Sequence, residues 1–179
     1  MLLFAFQLGL ALFPLRRTPL HSVVEESIAI SMTRTPRIIV SHPTGNTFVR
    51  ALINELYSQG QLEKFHTTIG VGKDANRFTR ILASRRKYCI PDPRISRQWF
   101  PEACRLLPFG QGCQEQRRRR VDQSYESLDL KVAKALHRHP GFSLHAYEDG
   151  AAESFRIAKE LGIRRSYEMP IAHWATVRR

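Results

Sequence analysis

The chain has 179 residues, enough for one full domain with a sizeable core and too few for two domains of ordinary size. Its hydrophobic fraction of 42% and charged fraction of 25% are typical of a soluble globular protein and exclude a disordered or membrane-embedded chain. The 28 Lys and Arg residues against 16 Asp and Glu give a net charge of +12. This excess indicates an anionic partner: a phosphorylated substrate, nucleic acid or a membrane surface.

The N-terminal segment Met1–Leu15 is apolar but is not a typical signal peptide, because its charges, Arg16 and Arg17, follow the apolar run. We expect residues 1–31 to be a poorly ordered upstream extension and residues 32–179 to form the domain. A peripheral membrane anchor is the alternative for this segment.

The first third of the domain is predicted to be a βαβ unit. Arg37–Ser41 is a β-branched apolar run, typical of a strand buried on both faces, and His42–Asn46 supplies turn residues. Apolar residues then recur at helical spacing from Val49 to Leu56, and Gly60 caps that helix. A second strand is predicted over residues 65–69.

The middle, Lys73–Asp122, contains several prolines, and only a helix over Pro101–Leu107 is predicted there. Tyr125–His137 then carries the apolar stripe of a packing helix.

A second strand-turn-helix follows, with a strand at residues 143–147 and a helix that ends before Gly162. A further strand is predicted over Ile163–Met169. The pattern predicts an α/β fold: a Rossmann-like parallel sheet flanked by helices on both faces.

Two segments should emerge at the carboxyl edge of this sheet, where open α/β folds bind ligands. His42–Asn46 contains Gly45, which permits close backbone approach, but it matches neither G-x-G-x-x-G nor the P-loop. This turn is either structural or a ligand-binding loop. At Glu148–Gly150, two carboxylates could bind sugar hydroxyls or act as a base. Asp149 could equally be the N-cap of the next helix.

Four segments together resemble the N-terminal domain of bacterial group 1 (family 4) glycosyltransferases. The resemblance covers roughly residues 36–174, in the family's order, with a poorly matched middle. The four segments are Ile38–Asn46 with Val49 and Arg50, Glu63–Ile69, Ala146–Ala151 and Met169–Trp174.

The resemblance implies one half of a GT-B architecture, in which this domain binds the acceptor and a second Rossmann-like domain binds the nucleotide-sugar donor. It implies catalytic roles for His42 and Asp149, as acceptor contacts or base. It also implies substrate contacts from Thr44, Gly45, Asn46, Arg50, Glu148 and Gly150.

The donor domain has no counterpart in these residues, so the chain is expected to be a truncated enzyme that binds no cofactor itself and is inactive alone. The expected partner is a sugar, lipid-linked or other acceptor, at a cytoplasmic location peripheral to the inner membrane. The odd cysteine count and the isolated pair His137 and His139 predict reduced thiols and no metal site.

Two other function classes stay open. The net charge and the run Arg117–Arg120 suggest a nucleic-acid-binding module, although no helix-turn-helix, zinc-finger or RNP pattern accompanies them, so nucleic acid is not the expected partner. The other alternative is an inactive remnant that folds without a function.

Overall fold

A computed structural model of the protein describes residues 37–76, 86–106, 113–147 and 150–168. All of them belong to one compact unit, Thr35–Arg179. The predicted extension over residues 1–31, the motif Met169–Trp174, and the carboxylates Glu148 and Asp149 lie outside the described residues.

The described residues form five strands, four α-helices and one 3-10 helix. In chain order these are β1 (Ile38–Ser41), α1 (Thr47–Ser58), β2 (Leu62–Thr67), the 3-10 helix (Asp92–Arg94), β3 (Ile95–Arg97), α2 (Trp99–Leu106), α3 (Gln114–Leu136), β4 (Ser143–Tyr147), α4 (Ala152–Glu160) and β5 (Arg165–Glu168).

The five strands form one sheet in the order β3-β2-β1-β4-β5, and every neighbouring pair is parallel. β1 is central, with Ser41 opposite His66 of β2 on one side and Ala146 of β4 on the other. The predicted α/β class and the parallel pairing of the three central strands are therefore confirmed.

Each face of the sheet has its own apolar core, because successive residues of β1 point to opposite faces. Val40 belongs to a cluster with α1, which also includes Phe65 and Tyr88. Ile39 belongs to a cluster on the other face, formed with α3 and α4. The prediction of helices on both faces is correct.

Several predicted boundaries were wrong. β2 spans Leu62–Thr67 instead of 65–69, since the N–H of Thr68 leaves the strand ladder and donates to the Pro43 carbonyl at 3.2 Å. The last strand begins at Arg165 and ends at Glu168. The 3-10 helix and β3 were not predicted, because the first contains Pro93 and the second has only three residues.

The two middle helices also begin earlier than predicted. α2 begins at Trp99 and ends at Leu106, with Pro101 tolerated in its first turn. α3 begins at Gln114 instead of Tyr125. Its first turns were missed because they are exposed and carry no apolar stripe. The run Arg117–Arg120 therefore lies on a helix, where Arg119 pairs with Glu115 at 2.6 Å.

The N-terminus of α4 is capped by a side chain from another helix. Its N-cap residue is Ala151, which has no side chain able to cap, so the suggestion that Asp149 is the N-cap was wrong. Asp129 of α3 accepts hydrogen bonds from the N–H groups of Glu153 at 2.6 Å and Ser154 at 3.0 Å. This carboxylate joins α3 to α4 and complements the helix dipole.

Candidate functional site

The strand order creates a topological switch point between β1 and β4. From β1 the chain continues to β2 on one side, and the later strand β4 pairs with the other side of β1. Ligands of open α/β proteins bind in the crevice at the carboxyl ends of such strands. The loop His42–Asn46 follows β1 at this edge, and Gly150 follows β4.

The two segments meet through an aromatic contact. The ring of His42 lies 4.2 Å from the ring of Tyr147, the last residue of β4, centroid to centroid, at 43°. His42 is 1% exposed, and its backbone N–H donates to the His66 carbonyl at 3.0 Å. The first residue of the loop is thus fixed to both neighbouring strands.

The imidazole of His42 organises the loop that follows it. Its Nδ1 accepts hydrogen bonds from the backbone N–H of Thr44 at 3.1 Å and of Gly45 at 2.7 Å. Because backbone N–H groups only donate, Nδ1 carries a lone pair, and in the neutral ring the proton is on Nε2. Nε2 is buried and has no hydrogen-bond partner among the described residues.

The protonation of the His42 ring bears on the two roles predicted for it. Burial, and after it the charge of His145, lowers the pKa of His42 from 6.5 to about 4, so the ring is neutral at pH 7. A neutral ring whose only lone pair is engaged by two N–H groups cannot accept a further proton easily. The arrangement fits a hydrogen-bond donor through Nε2–H and does not fit a general base.

The carbonyl of Pro43 ties the loop to the end of β2. It accepts hydrogen bonds from Oγ1 of Thr68 at 2.6 Å and Oγ1 of Thr67 at 3.1 Å. Both hydroxyls are buried. The loop is thereby anchored on the side of β2 as well as by His42.

Gly45 is required by the packing of Tyr88. Its φ is +63°, and a Cβ there would lie 2.8 Å from Cζ and 2.9 Å from Cε1 of Tyr88, and closer still to Oη. Tyr88 is buried, and its hydroxyl donates to the Thr44 carbonyl at 3.4 Å. A residue with a side chain at position 45 would displace either the tyrosine or the loop.

The other predicted contact residues of the loop also support its structure. The Oδ1 of Asn46 accepts from the N–H of Val49 at 2.8 Å and caps α1. The guanidinium of Arg50 donates to the carbonyls of Gly45 at 3.1 Å and Lys87 at 2.9 Å, and it lies over the ring of Tyr88. These contacts favour a rigid, pre-formed loop.

Three of the predicted site residues follow β4. Glu148 and Asp149 lie outside the described residues, and Gly150 is described. A Cβ on Gly150 would lie 3.4 Å from the backbone oxygen of Tyr125 in α3, which is a tight but tolerable contact. The structure therefore brings Tyr147 and Gly150 to the same edge as His42.

The main features that sequence interpretation missed are the supports of the loop. Tyr88 lies in the proline-containing middle, where no periodicity could assign it a place. Thr67, Thr68 and Tyr147 lie within the segments that carry the family resemblance, but their contacts depend on strand register.

Neither a metal site nor a membrane span is visible in the part of the chain that the structure describes. No three His, Cys, Asp or Glu side chains there are grouped to hold a metal ion. No helix in those ranges has the length and apolar character needed to cross a membrane.

Comparison with known proteins assigns no family. No family model matches the sequence, and no curated protein matches it significantly. Among solved structures, the C-terminal domain of a hydrogenase from Pyrococcus furiosus aligns with 76% of this chain and 97% of its own, at 13% identity and a TM-score of 0.42. A similarity this weak supports neither a family assignment nor a function.

Proposed function

We propose that this chain is the acceptor-side domain of a bacterial glycosyltransferase and works with a second domain that binds the nucleotide-sugar donor. The observation that carries the proposal is the loop His42–Asn46, which is pre-formed at the topological switch point and holds a buried N–H donor without a partner among the described residues. The four segments that resemble group 1 glycosyltransferases supply the reaction class.

In the proposed reaction, an oxygen of the acceptor forms a bond to the anomeric carbon of the donor sugar. The bond from that carbon to the diphosphate oxygen breaks, the nucleoside diphosphate leaves with the electron pair, and the acceptor proton passes to a base. His42 is assigned the role of donor to the acceptor, since its Nδ1 is already engaged. The base role is assigned to Asp149, two residues after Tyr147.

The proposed acceptor is a sugar, free or linked to a lipid. A net charge of +12 suits a cytoplasmic protein that works peripherally at an anionic inner membrane. The nucleotide-sugar donor is assigned to the second domain, so this chain alone should bind it too weakly for turnover.

Two substitutions of His42 separate its contact with the acceptor from its support of the loop. In His42→Asn, Oδ1 falls near the position of Nδ1 and can accept from Thr44 and Gly45, while nothing replaces Nε2–H. In His42→Gln, the amide reaches the Nε2 position but the acceptor for the loop is lost.

Calorimetry with monosaccharide methyl glycosides and short-chain lipid-linked sugars tests the proposal. His42→Asn should keep the thermal stability and weaken acceptor binding about five- to tenfold, the value of one hydrogen bond of about 1 kcal/mol. Product analysis with nucleotide sugars should show no transfer by this chain alone. Unchanged binding in His42→Asn would contradict the assigned contact, and transfer that Asp149→Ala removes would contradict the division between domains.

A further inference from the structure

A second polar site lies on the face of the sheet that packs against α3. A pocket of about 450 Å³ is formed between β2, β3 and the C-terminal part of α3. It shares no residue with the loop His42–Asn46. Its volume is in the range of pockets that hold small molecules.

The wall of this pocket contains a buried histidine that lacks partners. His66 is 3% exposed, and neither Nδ1 nor Nε2 has a hydrogen-bond partner among the described residues. Buried polar groups in proteins are nearly always paired, so an unpaired imidazole lining a cavity requires an explanation. A ligand in the pocket that bonds to the ring supplies one.

The pocket is also strongly cationic. Lys64, Lys131, Lys134 and Arg138 line it, against a single carboxylate, Glu63. That carboxylate faces two other cations, Arg37 at 2.7 Å and Arg94 at 3.6 Å.

Two of the pocket lysines, Lys64 and Lys131, bond to backbone carbonyls instead of carboxylates. The ammonium groups of Lys64 and Lys131 donate to the backbone carbonyls of Pro93 and Arg97, and neither forms an ion pair within the described residues. Burial, and after it the charges of Lys131 and Lys64, lowers the pKa of His66 to about 3. Burial, and after it the charge of Arg97, also lowers the pKa of Lys131.

We propose that this pocket binds the phosphoryl group of a small phosphorylated molecule, with an N–H of His66 donating to a phosphoryl oxygen and Lys64, Lys131, Lys134 and Arg138 balancing its charge. Four cations favour a dianion over a carboxylate, which carries one charge. The pocket is larger than a phosphate ion, so it has room for the organic part of a monoester.

Calorimetric titrations with inorganic phosphate and with glycerol 3-phosphate, each at constant ionic strength, test the assignment. Acetate and glycerol serve as controls for single charge and for the organic part. Tighter binding of the monoester would support a phosphorylated molecule as the ligand, and equal binding of inorganic phosphate would support free phosphate at the same site. Acetate binding as tightly as phosphate, or no binding of either phosphate, would overturn the proposal.

Charge-matched variants locate the site. Lys134→Gln with Arg138→Gln should weaken phosphate binding about tenfold, because two exposed charges are removed from the pocket. The control Lys159→Gln with Arg164→Gln removes the same two charges from exposed positions elsewhere and should leave binding within twofold. Equal losses in both variants, or a larger loss in the control, would show that the binding is not in this pocket.

His66→Leu distinguishes a ligand-binding role of His66 from a purely structural one, because the two roles predict different combinations of melting temperature and phosphate affinity. Removing an unpaired buried polar ring should raise the melting temperature of the free protein while it weakens phosphate binding. In the wild type, phosphate should also shift the ¹⁵N resonances of the His66 ring. Unchanged binding in a folded His66→Leu protein, or ring resonances unmoved at saturation, would overturn the role of His66.

Discussion

Substitution of Gly45 by alanine tests whether the loop His42–Asn46 is held rigid by Tyr88. Two costs add at this position. An L-residue at φ +63° costs about 1–2 kcal/mol. A Cβ within 2.9 Å of two ring carbons of a buried tyrosine overpacks the core, which costs about a further 1–3 kcal/mol. We therefore expect Gly45→Ala to lower the free energy of unfolding by about 2–5 kcal/mol.

Gly60 is a matched control for the backbone cost. Its φ is +69°, and no heavy atom lies within 4 Å of the position that a Cβ would take. Gly60→Ala should therefore cost only the left-handed backbone term of about 1–2 kcal/mol. The difference between the two variants, measured by urea unfolding, isolates the contact with Tyr88.

The double substitution Gly45→Ala with Tyr88→Phe removes Oη, the nearest tyrosine atom, but leaves the ring carbons. It should recover about 1 kcal/mol relative to the sum of the single effects. Equal costs for Gly45→Ala and Gly60→Ala, or strict additivity with Tyr88→Phe, would refute the packing of Tyr88 against the loop.

Three other substitutions test the supports and electrostatics of the fold. Asp129→Ala should lower stability by about 1–2 kcal/mol in thermal unfolding, because it leaves two N–H groups of α4 uncapped, and a neutral effect would contradict that role. Burial opposes ionisation of Glu102, but Arg105 and Arg86 outweigh it and hold its pKa low. Glu102→Gln should therefore lower the free energy of unfolding in urea by about 2–3 kcal/mol and remove part of the loss of stability at acid pH. His66 has a folded pKa of about 3 against 6.5, so its unfolded form binds more protons and stability falls as the pH drops below 6.5. His66→Leu should reduce this slope by up to about 1.4 kcal/mol per pH unit between pH 6 and 4, and an unchanged slope would contradict the burial of a neutral ring.

The sequence was sufficient for the parts of the fold in which local pattern and burial agree. β1 is buried on both faces, so its apolar run predicted a central parallel strand, and the spacing of Val49, Ile53 and Leu56 predicted α1. The first turns of α3 are solvated, so they carry no apolar periodicity, and the helix was predicted to begin at Tyr125. β3 pairs through three residues only, too few for a pattern.

The candidate site could be located from the sequence, but its inner contacts could not. The alternation of strands and turns placed His42 and Gly150 at one edge. The side-chain geometry depends on distant residues: Tyr88 reaches Thr44, and Tyr147 reaches His42 across the β1–β4 pairing. The hydrogen bonds that Nδ1 of His42 accepts from Thr44 and Gly45 could not be predicted from local sequence, and they are the reason why we propose a donor role instead of a base role.

Chemical-shift mapping of acceptor binding tests the central claim most directly. Backbone amide spectra of the whole chain would be recorded while methyl glycosides and short-chain lipid-linked sugars are added. If this is an acceptor-binding domain, at least one sugar should shift the amides of residues 42–46 and Gly150 in a saturable manner, and His42→Asn should weaken that titration. The claim would be contradicted if no sugar shifted these amides at millimolar concentration. It would also be contradicted if the chain instead bound generic DNA in a salt-sensitive manner and substitution of Arg117–Arg120 weakened that binding.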